Sequence, residues 1–392
     1  MLRRYLLVVL FSFLLLGMAG EIRPVQAAPT PGATPLCLPG IYLSDPGDCL
    51  PAGPSSYLTG LAQSGMTLPL RPLGATPVDP ALGAVQVRYG EVQNMPAPVF
   101  GSPEEAVKGN KKAAAARLDG NFVFISYDNE QEMGGKRLYQ IGLGQWLTAN
   151  YVSRLGVLPP SRGVTFQSPP PTAFGWVLNY FSPTPEIDVQ QAPGYQNGVP
   201  TGRKLVLYDL VPVYGEQTVG EERWYRIGPD EWVPAKYISR VTPNPTPPAG
   251  VSGERWIEVN LQEQTLAVYD QRRLVFATII ASGADPFWTQ PGAFQIYQKH
   301  EATPMQGAMG DRSEAYYLED VPWTMYYDGP RALHGAYWRA KMGFPQSHGC
   351  VNLTVGDAHW LYNWGQIGDW VYVHDPSGQT PTDPSLYGSG GF

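Results

Sequence analysis

Apolar and polar positions alternate over short stretches along most of this chain, with Gly or Pro interrupting them every few residues. A period of two bounded by turn residues predicts half-buried strands. From Gly253 the run RWIEVNLQEQTLAVYDQRRLVFATIIASG reads as three of them. Ile257, Val259 and Leu261 alternate, Leu266, Val268 and Tyr269 follow, and Val275 to Ile280 form a more continuously apolar strand. Trp370–Val373 predicts a last strand. Thr354 stands three residues before Asp357, a capping-box-like start. The AHWLYNW that follows predicts one short helix ending at Gly365, with Ala358, Leu361 and Tyr362 on its apolar side.

The chain also contains a repeat. Residues 137–155 (RLYQIGLGQWLTANYVSRL) and 223–241 (RWYRIGPDEWVPAKYISRV) match at nine of nineteen positions when shifted by 86. So high a match predicts two copies of one unit, 85–158 and 160–242, each reading strand, Gly turn, strand. The first copy carries an insert, GSPEEAVKGNKKAAAARLDG, with a helix-prone Ala/Lys stretch. The shared W/L-Y-x-I-G, W-V/L and A-x-Y-V/I-S pieces resemble bacterial SH3-like domains. That resemblance implies two small β-barrels, which bind wall components, position a catalytic neighbour or act as spacers.

Around these units the organisation is punctuated by composition. Residues 28–84 form a Pro/Gly-rich lead-in, 243–252 a stiff Pro-rich linker, 253–376 the last domain and 377–392 a flexible tail. With 44 Gly, 40 Pro and 16% charged residues among 392, the chain suits short strands and many turns. The expected fold class is mainly β. A formal charge of −7 leaves no basic surplus for a phosphate backbone, which argues against a nucleic-acid partner.

Arg3 and Arg4, an apolar run from Leu6 to about Ala19, and Val25-Gln26-Ala27 form the parts of a secretory signal peptide over residues 1–27. The run is shorter than the ~20 residues a spanning helix needs, so export is favoured over the alternative, an uncleaved membrane anchor. In an oxidising exterior Cys37 and Cys49 are expected to pair, contributing about 3 kcal/mol. Cys350 is then left without a partner.

The neighbours of that cysteine carry the chemistry. Ser347-His348-Gly349-Cys350-Val351-Asn352-Leu353 follows His334-Gly335, with His334 sixteen residues before the cysteine. A cysteine attacks a carbonyl as thiolate, so it needs an imidazole or a positive field nearby. Gly349 lets the main chain present amides to a developing oxyanion, and His334 is a candidate base. A buried inert thiol is the bland alternative. A zinc site of His334, His348 and Cys350 is another, without a convincing fourth ligand. His300, His359 and His374 read as ordinary surface or core histidines.

SHGCVNL with the upstream H-G resembles the L,D-transpeptidase catalytic domain, often called YkuD-like. The resemblance covers about 253–376 and includes Ile257–Tyr269, Ser282-Gly283 and Asp357-Ala358. It implies a β-sandwich-like domain with a short helix and no cofactor or metal. It implies attack on the bond between the third residue of a peptidoglycan stem peptide and the following D-Ala, a thioester, and transfer to an amine. Carbapenems would acylate the same cysteine. Position by position, Cys350 is implied as nucleophile and His334 as general base. Gly335 would orient the imidazole, while Ser347, His348 and Gly349 shape the loop. Asn352, Trp323, Tyr326, Tyr327 and Trp338 are implied at the substrate groove. The sequence departs from the family at Thr289-Gln290-Pro291-Gly292 and is only loosely similar over Glu301–Glu319. A hydrolase resolving the thioester with water shares the motif, and a wall-binding protein with an idle catalytic domain is the reading from another class.

Overall fold

The computed structural model describes residues 54–66, 68–142, 144–180, 182–196, 198–307 and 315–387. The signal segment and the Cys37/Cys49 pair lie outside the described residues. The chain divides into Met1–Thr67 and Leu68–Phe392. Within the first unit the described part is the helix Pro54–Gln63. That helix was not expected in the lead-in, although its limits were readable. Pro54 opens it, and Gly65 follows its end at φ 83°.

In the second unit the two copies share one strand plan. In the first, Arg88–Val92 pairs with Phe122–Tyr127 and Val152–Arg154. In the second, Ala173–Val177 pairs with Leu210–Val213 and Ile238–Val241. Hairpins Lys136–Ile141/Gln145–Thr148 and Glu222–Gly228/Glu231–Pro234 carry the matched residues. One 3-10 turn follows each, at Ala149–Tyr151 and Ala235–Tyr237. Two of the matches are shared core positions: Tyr139 and Ile141 lie in one core, Tyr225 and Ile227 in the other. The helix of the insert forms at Pro103–Lys108, capped by Ser102, ahead of the Ala run, whose end instead enters the strand Ala116–Leu118.

Two seven-stranded sheets face each other across the last domain's core. The first runs in the order 75–77, 164–166, 273–279, 265–270, 256–260, 370–374, 292–295. The second runs 351–353, 331–335, 316–328, 122–127, 88–92, 152–154, and 298–307 pairs with 316–328. Ile257, Val259, Leu266 and Val371 from one sheet meet Met325, Leu333, Val351 and Leu353 from the other. The helix Val355–Trp364 adds Ala358 and Leu361 to that core. It begins and ends as expected, with Thr354 Oγ1 accepting from the Asp357 N–H at 3.3 Å and Gly365 as its C-cap.

The organisation is less modular than the expected boundaries suggest. Ala75–Pro77 of the lead-in and Val164–Phe166 between the copies are strands of the first large sheet. The sheet of the first copy is continuous with the second large sheet through Phe122–Phe124 beside Tyr316–Leu318. Asp357, fully buried, fastens the segment between the copies. It accepts from Arg162 N at 3.0 Å, Gly163 N at 2.9 Å and Thr278 Oγ1 at 2.8 Å. The tail expected to be flexible from 377 packs as far as Tyr387. That residue is buried and its carbonyl accepts from Arg331 Nη2.

Candidate active site

Cys350 immediately precedes the strand Val351–Leu353, which pairs in parallel with Arg331–Gly335 and sets Asn352 beside His334. The loop before it is held from several sides. Ser347 N donates to Ser282 O at 3.0 Å, and Thr289 Oγ1 donates to Gly349 O at 2.8 Å. Ser347 Oγ donates to Cys350 O and accepts from Gly349 N at 3.2 Å. The Gly349 amide is thus engaged within the loop. Gly349 sits at φ 107°, where a side chain is strained, and a Cβ there would meet Arg331 Nε at 3.1 Å.

His334 is 1% exposed. Its Nδ1 lies 3.2 Å from Gly335 O and its Nε2 3.1 Å from Asn352 Nδ2. Arg339 decides the protons in this chain. Its Nε donates to Asn352 Oδ1 at 2.6 Å, which turns the Asn352 amide nitrogen towards the ring. Nε2 therefore accepts from Asn352 Nδ2, and Nδ1 carries the proton and donates to Gly335 O. Burial pushes His334 down to about 4. The Gly335 carbonyl opposes this and the Arg339 charge adds to it.

Burial pushes the Cys350 thiol up, against the positive fields of Arg331 and Arg339. Its Sγ lies 3.8 Å from Pro330 O. Among the described residues the sulfur makes no hydrogen bond to His334. The resting pair is a neutral thiol and a neutral imidazole that line one cavity. The chemistry this arrangement allows is proton transfer during attack.

That cavity, of about 380 Å3, is lined by His334, Cys350, Asn352, Trp338, Arg339 and Ser347 among others. A second, of about 240 Å3, also borders the cysteine and is lined by Met305, Tyr316, Tyr326 and Pro330. Trp338 and Asn352 thus stand in the first and Tyr326 in the second. Trp323 and Tyr327 line neither, against expectation. Along the strand Tyr316–Asp328 they share the face of Met325, which packs into the core, while Tyr326 points the other way. Trp323 stacks on His359 at 3.7 Å and Tyr327 packs near Phe294. His348 is held between the rings of Phe287 and Tyr316, at 4.4 and 5.1 Å. Among the described residues no group of three or more His, Cys, Asp or Glu is placed to hold a metal ion. His359 Nδ1 faces Leu82 O at 3.0 Å, and His374 faces Glu258 at 3.0 Å.

Arg331 and Arg339 escaped the sequence reading, as did Phe122 of the first copy, another residue of the larger cavity. Arg339 lies between the two halves of the motif and Arg331 three residues before the first, where no spacing rule marks either. Phe122 lies more than two hundred residues before the cysteine, so only the sheet pairing reveals it.

A family model described as the L,D-transpeptidase catalytic domain matches residues 254–373. The "Putative L,D-transpeptidase YciB" of Bacillus subtilis (strain 168) is 26% identical over 126 residues, covering 27% of this chain and 59% of that protein. A crystal structure of a mutant Enterococcus faecium L,D-transpeptidase is 25% identical, covering 31% of this chain and 50% of that one, with a TM-score of 0.29. An L,D-transpeptidase from Mycobacterium smegmatis is 22% identical, covering 39% of this chain and 77% of that one, with a TM-score of 0.29. This chain thus spans 59% of the Bacillus subtilis relative and 50% of the Enterococcus faecium chain.

Proposed function

We propose, from the premise that residues 254–373 belong to the L,D-transpeptidase catalytic-domain family, that this chain is a peptidoglycan L,D-transpeptidase with Cys350 as nucleophile. The observation that carries the reading is the meeting of Cys350, His334 and two arginine fields at one cavity.

Cys350 Sγ attacks the carbonyl carbon between the third stem residue and the following D-Ala, and the thiol proton passes to His334. For this the Asn352 amide yields its place at Nε2. The C–N bond then breaks as His334 returns the proton to the leaving D-Ala amine, and a thioester remains. An acceptor amine attacks the thioester, the C–S bond breaks, and His334 carries the amine proton back to sulfur. Burial makes the imidazolium a strong acid, suited to protonating a poor leaving group. The Arg331 and Arg339 charges favour the negative charge that develops as sulfur attacks.

A signal segment at 1–27 would deliver the chain to the wall, and the duplicated unit is read as SH3-like. A carbapenem would acylate Cys350 in place of the stem. The test is mass spectrometry of tetrapeptide-stem muropeptides incubated with the mature protein or with Cys350→Ala. Loss of D-Ala together with dimers or amine-exchanged products supports the proposal. Tripeptides alone would indicate a hydrolase, and equal products from Cys350→Ala would overturn the mechanism.

A further inference from the structure

The larger cavity is not built by the catalytic domain alone. Its wall includes Asn121 and Phe122, which open the strand Phe122–Tyr127 of the first copy. That strand is fixed on both edges. Phe122 pairs with Tyr316 in parallel register, and Arg88–Val92 pairs along the other side. Asn121 N also donates to Ala315 O at 3.2 Å. Gly120 makes this approach feasible: it sits at φ 146°, and a Cβ there would meet Ala315 O at 3.0 Å. The junction is therefore main chain to main chain, stiff enough to set the position of a side chain.

Phe122 is 36% exposed at the head of its strand. Its ring lies 4.8 Å from Phe124, Phe124 lies 6.4 Å from Trp338, and Trp338 lies 5.7 Å from His334. An aromatic series thus leads from the first copy to the candidate base. Leu318 and Met305 add apolar lining to the cavity, and Arg339 and Gln346 polar lining.

We propose that Phe122 is a specificity-determining residue, contributed by the first copy, that covers the aliphatic part of the acyl-donor stem peptide. The inference rests on the transpeptidase reading above and adds a role for the repeat: it completes the donor site. A peptide lying along this lining loses water from Phe122 and from its own methyl and methylene groups, while its amides meet the polar residues.

The experiment uses the whole mature chain with Phe122→Ala and Phe122→Leu. KM for a tetrapeptide stem is measured beside the rate at which iodoacetamide alkylates Cys350. Loss of the ring is expected to raise KM about five- to tenfold. Leu should restore most of it, and alkylation by so small a reagent should keep its wild-type rate. An unchanged KM in Phe122→Ala would overturn the proposal. So would a parallel loss of alkylation, because a collapsed site rather than a lost contact would then be the cause. A wild-type chain that turns over no stem peptide would instead defeat the transpeptidase reading, and this inference with it.

Discussion

Asn352 Nδ2 stands 3.1 Å from His334 Nε2 while its Oδ1 accepts from Arg339 Nε at 2.6 Å. One amide therefore transmits the orientation of a guanidinium to the imidazole. Arg339 is in turn held by Gln346, through Nη1 to Oε1 at 2.9 Å and Nη2 to the carbonyl. Replacing Arg339 by Met keeps much of the bulk and removes both the orientation and the charge. The variant is expected to lose about tenfold or more in kcat/KM, a loss typical of a displaced acid–base group. Because the Arg339 charge helps depress His334, its removal should also move the acid limb of the rate profile upward in pH. A kcat/KM profile of the variant that coincides with wild type would reject this role.

The acid limb itself is a separate prediction. His334 is held at about 4 against an ordinary 6.5, so its base form persists well below neutrality. With proton transfer from thiol to imidazole in the mechanism, kcat/KM is expected to hold from pH 7 to about 5 and to fall only near 4. The thiol is raised by burial, so alkylation of Cys350 should climb on the alkaline side of an ordinary thiol. Together the two ionisations give a bell that is broad rather than narrow. An acid limb near 6.5, or a thiol that titrates below neutrality, would point to a resting thiolate–imidazolium pair instead.

Glu319 offers a stability test at the junction with the first copy. Burial pushes its carboxyl up to about 7, the Ser126 N–H at 3.0 Å opposes this, and the Asp320 charge adds to it. A folded value above the unfolded one means that Glu319 favours the folded state at low pH and opposes it as pH rises from about 4.5 through 7. Glu319→Gln keeps an acceptor for Ser126. It is expected to gain about 2–3 kcal/mol in urea unfolding above pH 7.5 and nothing below pH 4.5. The same gain at both ends of the range would show that ionisation is not the cause.

Asp357 is a second buried carboxyl that burial pushes up, and the hydrogen bonds that oppose this hold elements together. Three donors converge on its carboxyl from Arg162, Gly163 and Thr278, and the Thr354 side chain of the helix cap also hydrogen-bonds to it. Asp357→Ala leaves buried N–H groups without acceptors and is expected to cost about 3–5 kcal/mol in denaturant unfolding. A cost below about 1 kcal/mol would mean that water replaces the carboxylate there.

How far these features were legible follows from their range. The helix Val355–Trp364 and the strands from 256 to 279 obey local periodicity and capping, so their limits were readable within a residue or two. The repeat was readable because Tyr139 and Tyr225 occupy the same buried position in each copy. Cys350 and His334 were singled out from a short motif, and the fold brings both to the lining of one cavity. Trp323 and Tyr327 were misplaced because aromatic content near His334 says nothing about which strand face a ring occupies. The joining of Val164–Phe166 and Phe122–Phe124 to the large sheets was hidden, since pairing between distant strands leaves no local mark.

The second copy reaches the site by another route, through the loop that carries Arg339 and Gln346. Tyr208 OH accepts from Met342 N at 3.2 Å, Tyr180 OH donates to Met342 O at 3.0 Å, and the two hydroxyls bond to each other. Gly343, at φ 105°, lies against Leu178 so closely that a Cβ would approach its Cδ1 to 2.3 Å. This clamp holds both the N–H and the C=O of Met342, between Arg339, which orients Asn352, and Gln346, which holds Arg339. Removing both hydroxyls in Tyr180→Phe/Tyr208→Phe leaves the rings in place and frees the loop. Stability is expected to fall by about 1–3 kcal/mol, the usual cost of a few hydrogen bonds, while kcat falls three- to tenfold (roughly 1 kcal/mol). The decisive comparison is with Arg339→Met: if the clamp acts through Arg339, combining the substitutions should cost far less than the product of the two effects. Independent, multiplicative losses would show that the second copy stabilises the domain without positioning its chemistry.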